Sequence, residues 1–417
     1  MLRFMLVAFA LASAVAARAD DRIIRGEYLT RAADCAACHT VPGGHLYAGG
    51  RAIVTPFGAI YAPNITPDPT TGIGSYGDDE WVRMLRQGIA RNGGHLYPAM
   101  PYGSYARMTR DDALAIKAYL FSLKPIAAPK PDNQIRFPFD QRWGLALWNL
   151  LNVSDKAFEP TTGKSAAWNR GAYLVEALGH CGECHTPRNF MQGLKDDKAY
   201  AGAAQQGWLA YNLSSDKTAG LGGWSDAQLA EYLSTGKAAG RGPASGPMAE
   251  VVEYSLRYMT QDDIAAIVTY LRDVPAQSDG PAAAPATIAA VSEDPLGAHI
   301  FNEACAGCHL PNGTGRQSPW AALGGSHTAS DVDGTNLVQI LAHGSQIETA
   351  DGLMFMHSFT GGYTDEELAA ASNYLIGVTS GRKGMVTPQK IKAERGPDDH
   401  KPTDPPPQET MRAGPAP

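Results

Sequence analysis

Apolar and polar positions along this chain fall into short helical segments that recur three times in the same order. Each set opens with a brief helical stretch: Arg25-Gly26-Glu27-Tyr28-Leu29, Arg170-Gly171-Ala172-Tyr173-Leu174, and the looser Leu296-Gly297-Ala298-His299-Ile300. A second helix follows and closes on glycine, from Asp79 to Gly88, Asp226 to Gly236 and Asn336 to Gly344, glycine being suited to the left-handed position after a helix. The third helix starts from a threonine with an acid three residues on: Thr109 and Asp112, Thr260 and Asp263, Thr364 and Glu367. That is the capping-box pattern, in which side chains satisfy the first free amides. These helices run to Tyr119-Leu120, Tyr270-Leu271 and Tyr374-Leu375, and the recurrent Tyr-Leu is expected to pack on a neighbouring helix or on the edge of a bound group.

Between the repeats the pattern changes. Lys124 to Ala167 is rich in proline and aromatics, including Arg136-Phe137-Pro138-Phe139 and Trp143 to Leu151, and reads as an ordered connection. Pro275 to Ala290 is rich in Ala, Pro and Gly, the composition of an extended tether. Beyond Val378 the chain turns polar and proline-rich, and no packed core is expected there. Met1 to Ala19 carries Arg3, an apolar run from Phe4 to Ala17 and the small-x-small Ala17-Arg18-Ala19, and is read as an export signal cleaved before Asp20 rather than as a retained membrane anchor, for which the apolar run is short. The resulting divisions are 1–19 signal, 20–125 first repeat, 126–167 connection, 168–275 second repeat, 276–291 linker, 292–380 third repeat and 381–417 disordered tail. Net charge is −7 and becomes more negative when Arg3 and Arg18 leave, which argues against a nucleic-acid partner.

The six cysteines form three pairs, Cys35/Cys38, Cys181/Cys184 and Cys305/Cys308, each followed at once by His39, His185 or His309. An exported chain with six cysteines would first suggest disulfides, yet these pairs leave no cysteine for a bridge. C-x-x-C-H is the attachment signature of haem c. Residues i and i+3 share a helix face, so two thiols reach two vinyl groups on one side of the macrocycle, and the histidine at i+4 lies beneath the iron. A zinc half-site or a thiol redox pair is the alternative for a single motif; three copies in one repeated frame point to three haem c groups. Each repeat is small, so a large apolar macrocycle would also complete its core. The second ring nitrogen of each histidine needs an acceptor, and Pro42, Pro187 and Pro311 either supply carbonyl-bearing turns for it or merely end the attachment helix.

The sixth ligand separates an electron carrier from a haem with an open position. Met100, Met248 and Met356 each lie twelve residues after Gly88, Gly236 and Gly344, in turn-rich stretches suited to a loop over the distal face. Met354 rivals Met356. His45 and His95, in twin Gly-Gly-His-Leu-Tyr segments, offer bis-His ligation as the alternative in the first repeat, and His327, His343 and His357 are read as solvent-facing or propionate neighbours. His/Met ligation raises a haem potential and closes the iron, so the chain reads as a one-electron relay with no catalytic residue of its own.

These motifs resemble the three-haem cytochrome c subunit of bacterial membrane-associated dehydrogenases acting on alcohols, aldehydes, gluconate, sorbitol and fructose. The likeness runs from about Asp21 to Val378. It is most specific at Gly49-Gly50-Arg51 with Thr55-Pro56-Phe57-Gly58, Asn64-Ile65-Thr66-Pro67-Asp68, Leu96 to Tyr102, Cys181 to Asn189, and Arg136 to Phe139 followed by Trp143. It implies an all-α fold of three tandem class I cytochrome c domains, each around one covalent haem c. It also implies a periplasmic subunit on the outer face of the inner membrane that takes electrons from a flavin, pyrroloquinoline quinone or molybdopterin dehydrogenase subunit and passes them to ubiquinone. Met356 departs from the family by preceding His357-Ser358-Phe359 rather than proline, and the charged tail departs from an apolar membrane-seating segment; Trp143 to Trp148 is the better place for a partner or bilayer contact, with buried packing as its other reading. A free-standing multihaem carrier or a peroxidase-type enzyme is the competing function.

Overall fold

A computed structural model describes residues 20–280, 294–316, 319–350 and 352–395. They divide into two compact bodies, residues 20–163 with Tyr173–His180, and residues 164–172 with the described part of 181–395. The expected export signal, most of the 276–291 linker and the chain beyond 395 lie outside the described residues.

The first body holds the first repeat and the connection. Its elements are α1 (20–32), α2 (Cys35–His39), β1 (Ala52–Thr55), β2 (Gly58–Tyr61), α3 (Asp78–Gln87), α4 (Tyr102–Tyr105), α5 (Arg110–Ser122), β3 (Gln134–Ile135) and α6 (Gly144–Asn152). In the second repeat, α7 (Ala166–Tyr173) passes into a π-helical turn, Leu174–Leu178, before α8 (Gly182–His185), the hairpin β4 (Ala203–Gln205) and β5 (Trp208–Ala210), and α9 (Asp226–Thr235). The small pair β6 (Lys237–Ala238) and β7 (Gly242–Pro243) leads into α10 (Pro247–Tyr254) and α11 (Gln261–Leu271). The third repeat comprises α12 (Pro295–Ile300), a second π-helical turn Phe301–Cys305, α13 (Ala306–His309), α14 (His327–Ser330), α15 (Thr335–His343), the hairpin β8 (Ser345–Thr349) and β9 (Gly352–Met356), α16 (Asp365–Ser380) and α17 (Pro388–Glu394).

One clasp organises every repeat. The first helix crosses the last at a glycine, and a Cβ on Gly26, Gly171 or Gly297 would overlap the carbonyl of Ala115, Ala266 or Ala370 respectively. The tyrosine of each Tyr-Leu pair lies over the same glycine, its Cβ 2.9 Å from the position a Gly26 or Gly171 Cβ would take and 2.7 Å from that of Gly297. All three tyrosines are buried. Tyr119 meets the edge of Tyr47, Tyr270 that of Trp168, and Tyr374 stacks aslant on Phe301.

The threonine caps form as the sequence predicts. Thr109, Thr260 and Thr364 accept from the amides of Asp112, Asp263 and Glu367 at 3.2 Å. The reciprocal bond is seen from Glu367, whose carboxylate accepts from Thr364 N at 2.8 Å. Aspartate is one methylene shorter and turns elsewhere: Asp263 takes a two-pronged contact from Arg170 at 2.8 and 2.6 Å, and Asp112 accepts from Arg25 Nε at 3.1 Å and from the Tyr173 hydroxyl at 2.6 Å. The middle helices end at Gly88, Gly236 and Gly344 with φ of 65°, 81° and 76°.

Two expectations need correction. The fold is largely helical but not all-α: four small antiparallel sheets stand among the described residues, β1-β2-β3, β4-β5, β6-β7 and β8-β9. Short chain segments that must double back between helices pair their own backbones, as buried amides require. The tail is also packed as far as residue 395. Val386 and Ile391 are buried in the core of the third repeat, Thr387 caps α17, and Asn373 exchanges two 2.9 Å bonds with the Val386 backbone. Within the connection Trp143 is 77% exposed, which overturns buried packing for that residue.

Candidate functional site

Each C-x-x-C-H motif ends a short helix at its histidine; the first cysteine opens α2 in the first repeat and caps α8 and α13 in the other two. The histidine is then fixed twice. Its ring Nδ1 lies at hydrogen-bond distance from a backbone carbonyl: His39 from Pro63 at 2.7 Å, His185 from Tyr211 at 2.6 Å, and His309 from Ala321 at 2.7 Å. Its own carbonyl accepts from a glycine amide, Gly49 at 2.8 Å, Gly202 at 2.8 Å and Gly315 at 3.0 Å. These glycines have φ of 75°, 86° and 79°, a conformation that side chains resist. Burial lowers the pKa of all three imidazoles, favouring the neutral ring. With Nδ1–H donated to the carbonyl, Nε2 is left with its lone pair, the form a metal-ligating histidine needs.

Of the two readings of Pro42, Pro187 and Pro311, the one that makes them the acceptors fails. They follow the motifs too closely, whereas the observed carbonyls come from loops that return 24, 26 and 12 residues later. In the first two repeats an asparagine anchors that loop. Asn64 donates to Ile126 O at 2.7 Å and accepts from Thr66 N at 2.8 Å; Asn212 donates to Gln277 O at 2.6 Å and accepts from Ser214 N at 2.7 Å. The matching Asn64-x-Thr66 and Asn212-x-Ser214 pairs, and the glycines before them, were the signal that sequence reasoning could have used.

The thiols repeat one arrangement: Cys35, Cys181 and Cys305 are half-buried and Cys38, Cys184 and Cys308 exposed. Burial, followed by the neighbouring Asp34 carboxylate, pushes the Cys35 thiol up to about 12, and burial with Cys308 pushes Cys305 to about 11. A thiol redox pair needs the reverse shift. Among the described residues no three His, Cys, Asp or Glu side chains converge where one ion could be held. Thiols on one flank and a neutral histidine with a free Nε2 fit covalent haem. In the second repeat the indole N–H of Trp224 is buried without an acceptor, while the Arg241 guanidinium lies 4.7 Å over its ring; a donor beside a cation suits a propionate.

The three methionines keep their spacing in different local structures. Met100 sits in a bend, its amide donating to Tyr97 O at 3.1 Å and its carbonyl accepting from Tyr102 N at 2.7 Å. Met248 is the second residue of α10, after Gly246 and Pro247. Met356 ends β9 opposite Ser345, and packs against the same buried cluster as Cys305. Met354 faces Ile347 in the hairpin. The turn-rich loop expected over each distal face is therefore found in the first repeat alone. Of the other histidines, His45, His343 and His357 are exposed. His95 approaches Asn149, and His327 is half-buried against the Tyr211 ring, 4.9 Å between centroids.

Comparison with known proteins agrees with this geometry. The cytochrome c family model matches residues 23–124 and 296–379, the first and third repeats. The chain is 38% identical to the gluconate 2-dehydrogenase cytochrome c subunit of Pantoea cypripedii, over 91% of this chain and 92% of that one. It is 37% identical to the fructose dehydrogenase cytochrome subunit of Gluconobacter japonicus, over 89% and 82%. It is 36% identical to the cytochrome c subunit of the quinone alcohol dehydrogenase of Gluconobacter oxydans, over 89% and 81%.

Proposed function

The chain belongs to the family of cytochrome c subunits of bacterial dehydrogenases, and we propose that it is a three-haem relay carrying electrons from a separate catalytic dehydrogenase subunit to ubiquinone. The observation that carries this reading is the threefold recurrence of one frame: two thiols, a histidine whose Nδ1 is spent on a carbonyl, and a methionine twelve residues after a helix-ending glycine. On it, Cys35, Cys38, Cys181, Cys184, Cys305 and Cys308 attach haem, and His39/Met100, His185/Met248 and His309/Met356 are the axial pairs. Haem c so held supplies a one-electron redox centre. The chain supplies the rest: carbonyls that orient the imidazoles, glycines that let loops close on them, and methionines that leave no sixth position for substrate.

The same reading puts the protein at the periplasmic face of the inner membrane, peripherally bound. Among the described residues no helix is long and apolar enough to cross a membrane. The partner's cofactor, flavin, pyrroloquinoline quinone or molybdopterin, fixes the substrate. Haem per chain measured by pyridine haemochrome is expected to be three, and two would overturn the reading of the unmatched second repeat. Gentle solubilisation of native membranes should recover the chain with a large dehydrogenase subunit; recovery as a lone soluble cytochrome would count against the relay.

A further inference from the structure

The geometry points to α6, in the connection after the first repeat, as a strap that holds the Met100 loop in place, with Asn149 as the positioning residue; this rests on Met100 being a haem ligand. The polarity of α6 is inverted. Its outward residues Trp143, Leu147, Leu150 and Leu151 are 60–78% exposed, whereas Asn149 and Asn152 face the protein and are half-buried. A polar side chain turned inward from an otherwise apolar helix needs partners, and those of Asn149 lie on the segments that flank Met100.

Asn149 Oδ1 accepts from the Tyr102 hydroxyl at 2.7 Å, and Asn149 Nδ2 donates to Gln87 O at 3.3 Å, with His95 Nδ1 at 3.4 Å. Gln87 ends α3, the helix from whose closing glycine Met100 is counted. Tyr102 is fully buried, its amide donates to the Met100 carbonyl, and its ring fills the space a Gly88 Cβ would need. One amide thus ties both ends of the twelve-residue arc from Gly88 to Met100. The rest of the connection repeats the hold. Trp148 meets Tyr102 edge-on with centroids 6.3 Å apart, Arg142 donates to His95 O at 3.1 Å and lies over the Tyr97 ring, and the Tyr97 hydroxyl donates to Phe139 O at 3.1 Å.

The other two methionines sit at the start of α10 and the end of β9, and the second and third repeats brace each other there, Glu253 of α10 accepting from Glu348 N of β8 at 3.3 Å. The strap therefore gives the first haem a distal ligand whose grip depends on a segment outside the repeat. Loss of one buried hydrogen-bonding partner is expected to let Met100 leave a ferric iron about tenfold more often.

The test uses the full chain carrying its haems, with Tyr102→Phe and Asn149→Leu compared with Met100→Ala. The readout is the rate at which imidazole displaces methionine from ferric haem, resolved into phases of one haem each, with the potential of that haem. In Tyr102→Phe, which keeps the ring and the fold, one phase should accelerate about tenfold while the other two stay unchanged, and Asn149→Leu should do the same or more. The haem affected must be the one that Met100→Ala converts to high spin. Because the Tyr102 hydroxyl also lies 3.3 Å from Leu96 O within the loop, an unchanged rate in Asn149→Leu, whatever Tyr102→Phe does, with Met100→Ala still losing one methionine-ligated haem, would overturn the strap and leave the ligand assignment standing. Three methionine-ligated haems in Met100→Ala would overturn both.

Discussion

The ring Nδ1 of His185 lies 2.6 Å from the carbonyl oxygen of Tyr211, at the place where the first repeat uses Pro63 for His39. The acceptor is main chain in both, so its side chain is free to vary, and in the second repeat the Tyr211 ring stacks against His327 of the third. What must not vary is the loop, held by the side chain of the next residue, Asn64 or Asn212.

Asn212→Ala should therefore loosen the carbonyl without touching the axial pair. A weaker Nδ1 bond makes the imidazole a poorer donor and disfavours ferric iron, so the second haem's potential should rise by on the order of 50 mV, close to tenfold for one electron. Global stability should fall by about 2 kcal/mol from the orphaned buried groups. Redox titration and chemical denaturation of the variant check both. Tyr211→Ala, which keeps the carbonyl, should lose stability with little change in potential.

The glycine clasps make a second prediction. At Gly26, Gly171 and Gly297 a single methyl group meets a backbone carbonyl of the facing helix, which cannot move without opening the repeat. Substitution by alanine at any one should cost at least about 3 kcal/mol, and thermal unfolding with haem content after expression measures it. Alanine at Gly144, a helical glycine at which a Cβ meets nothing, supplies the control without the clash.

Much of this was legible because it repeats locally. The capping threonines, the closing glycines and the C-x-x-C-H helices are set by residues within four positions of one another, and all formed where the sequence put them. What escaped depends on distance along the chain. No spacing rule pairs His39 with Pro63 or His309 with Ala321, since the acceptors are main-chain atoms on returning loops. The first glycine of Arg-Gly-x-Tyr-Leu was visible as a repeat, but its reason, a helix 89 or 95 residues on, was not. The packed tail was missed because Val386 and Ile391 are two apolar residues in a polar stretch, too few to raise its mean yet enough to reach the core.

His327 supplies a pH signature. Burial, then the nearby Arg241 guanidinium, hold its imidazole down from 6.5 to about 4, and its buried Nδ1 has no hydrogen-bond partner. Between those values the unfolded chain binds the extra proton, so native stability falls as pH drops from about 6.5 to 4 and loses nothing further from this group below that. Burial raises the carboxyl of Asp331, a contribution of opposite sign that is present at low pH and lost as pH rises through its folded value. His327→Leu should flatten the loss between pH 6.5 and 4, read as the denaturation midpoint at each pH. An unchanged slope would mean that the imidazole is already protonated in the native state.

The third distal ligand can be decided within one hairpin. Met354 and Met356 are two residues apart in β9 and so share a face of the strand, which is why sequence could not separate them by side. Register separates them. Met354 stands opposite Ile347, a buried residue whose side chain reaches Gly236 of the second repeat, whereas Met356 stands opposite Ser345 and packs on the cluster that also receives Cys305. The Met356 carbonyl is also pressed close to Gly344, so the strand end is fixed at the glycine from which the shared offset is counted. Met356→Ala should convert one haem in three to high spin and lower its potential, while Met354→Ala should keep all three low-spin and cost about 1 to 2 kcal/mol of packing. Electron paramagnetic resonance of the two ferric variants gives the answer, and a high-spin signal from Met354→Ala alone would reverse the assignment.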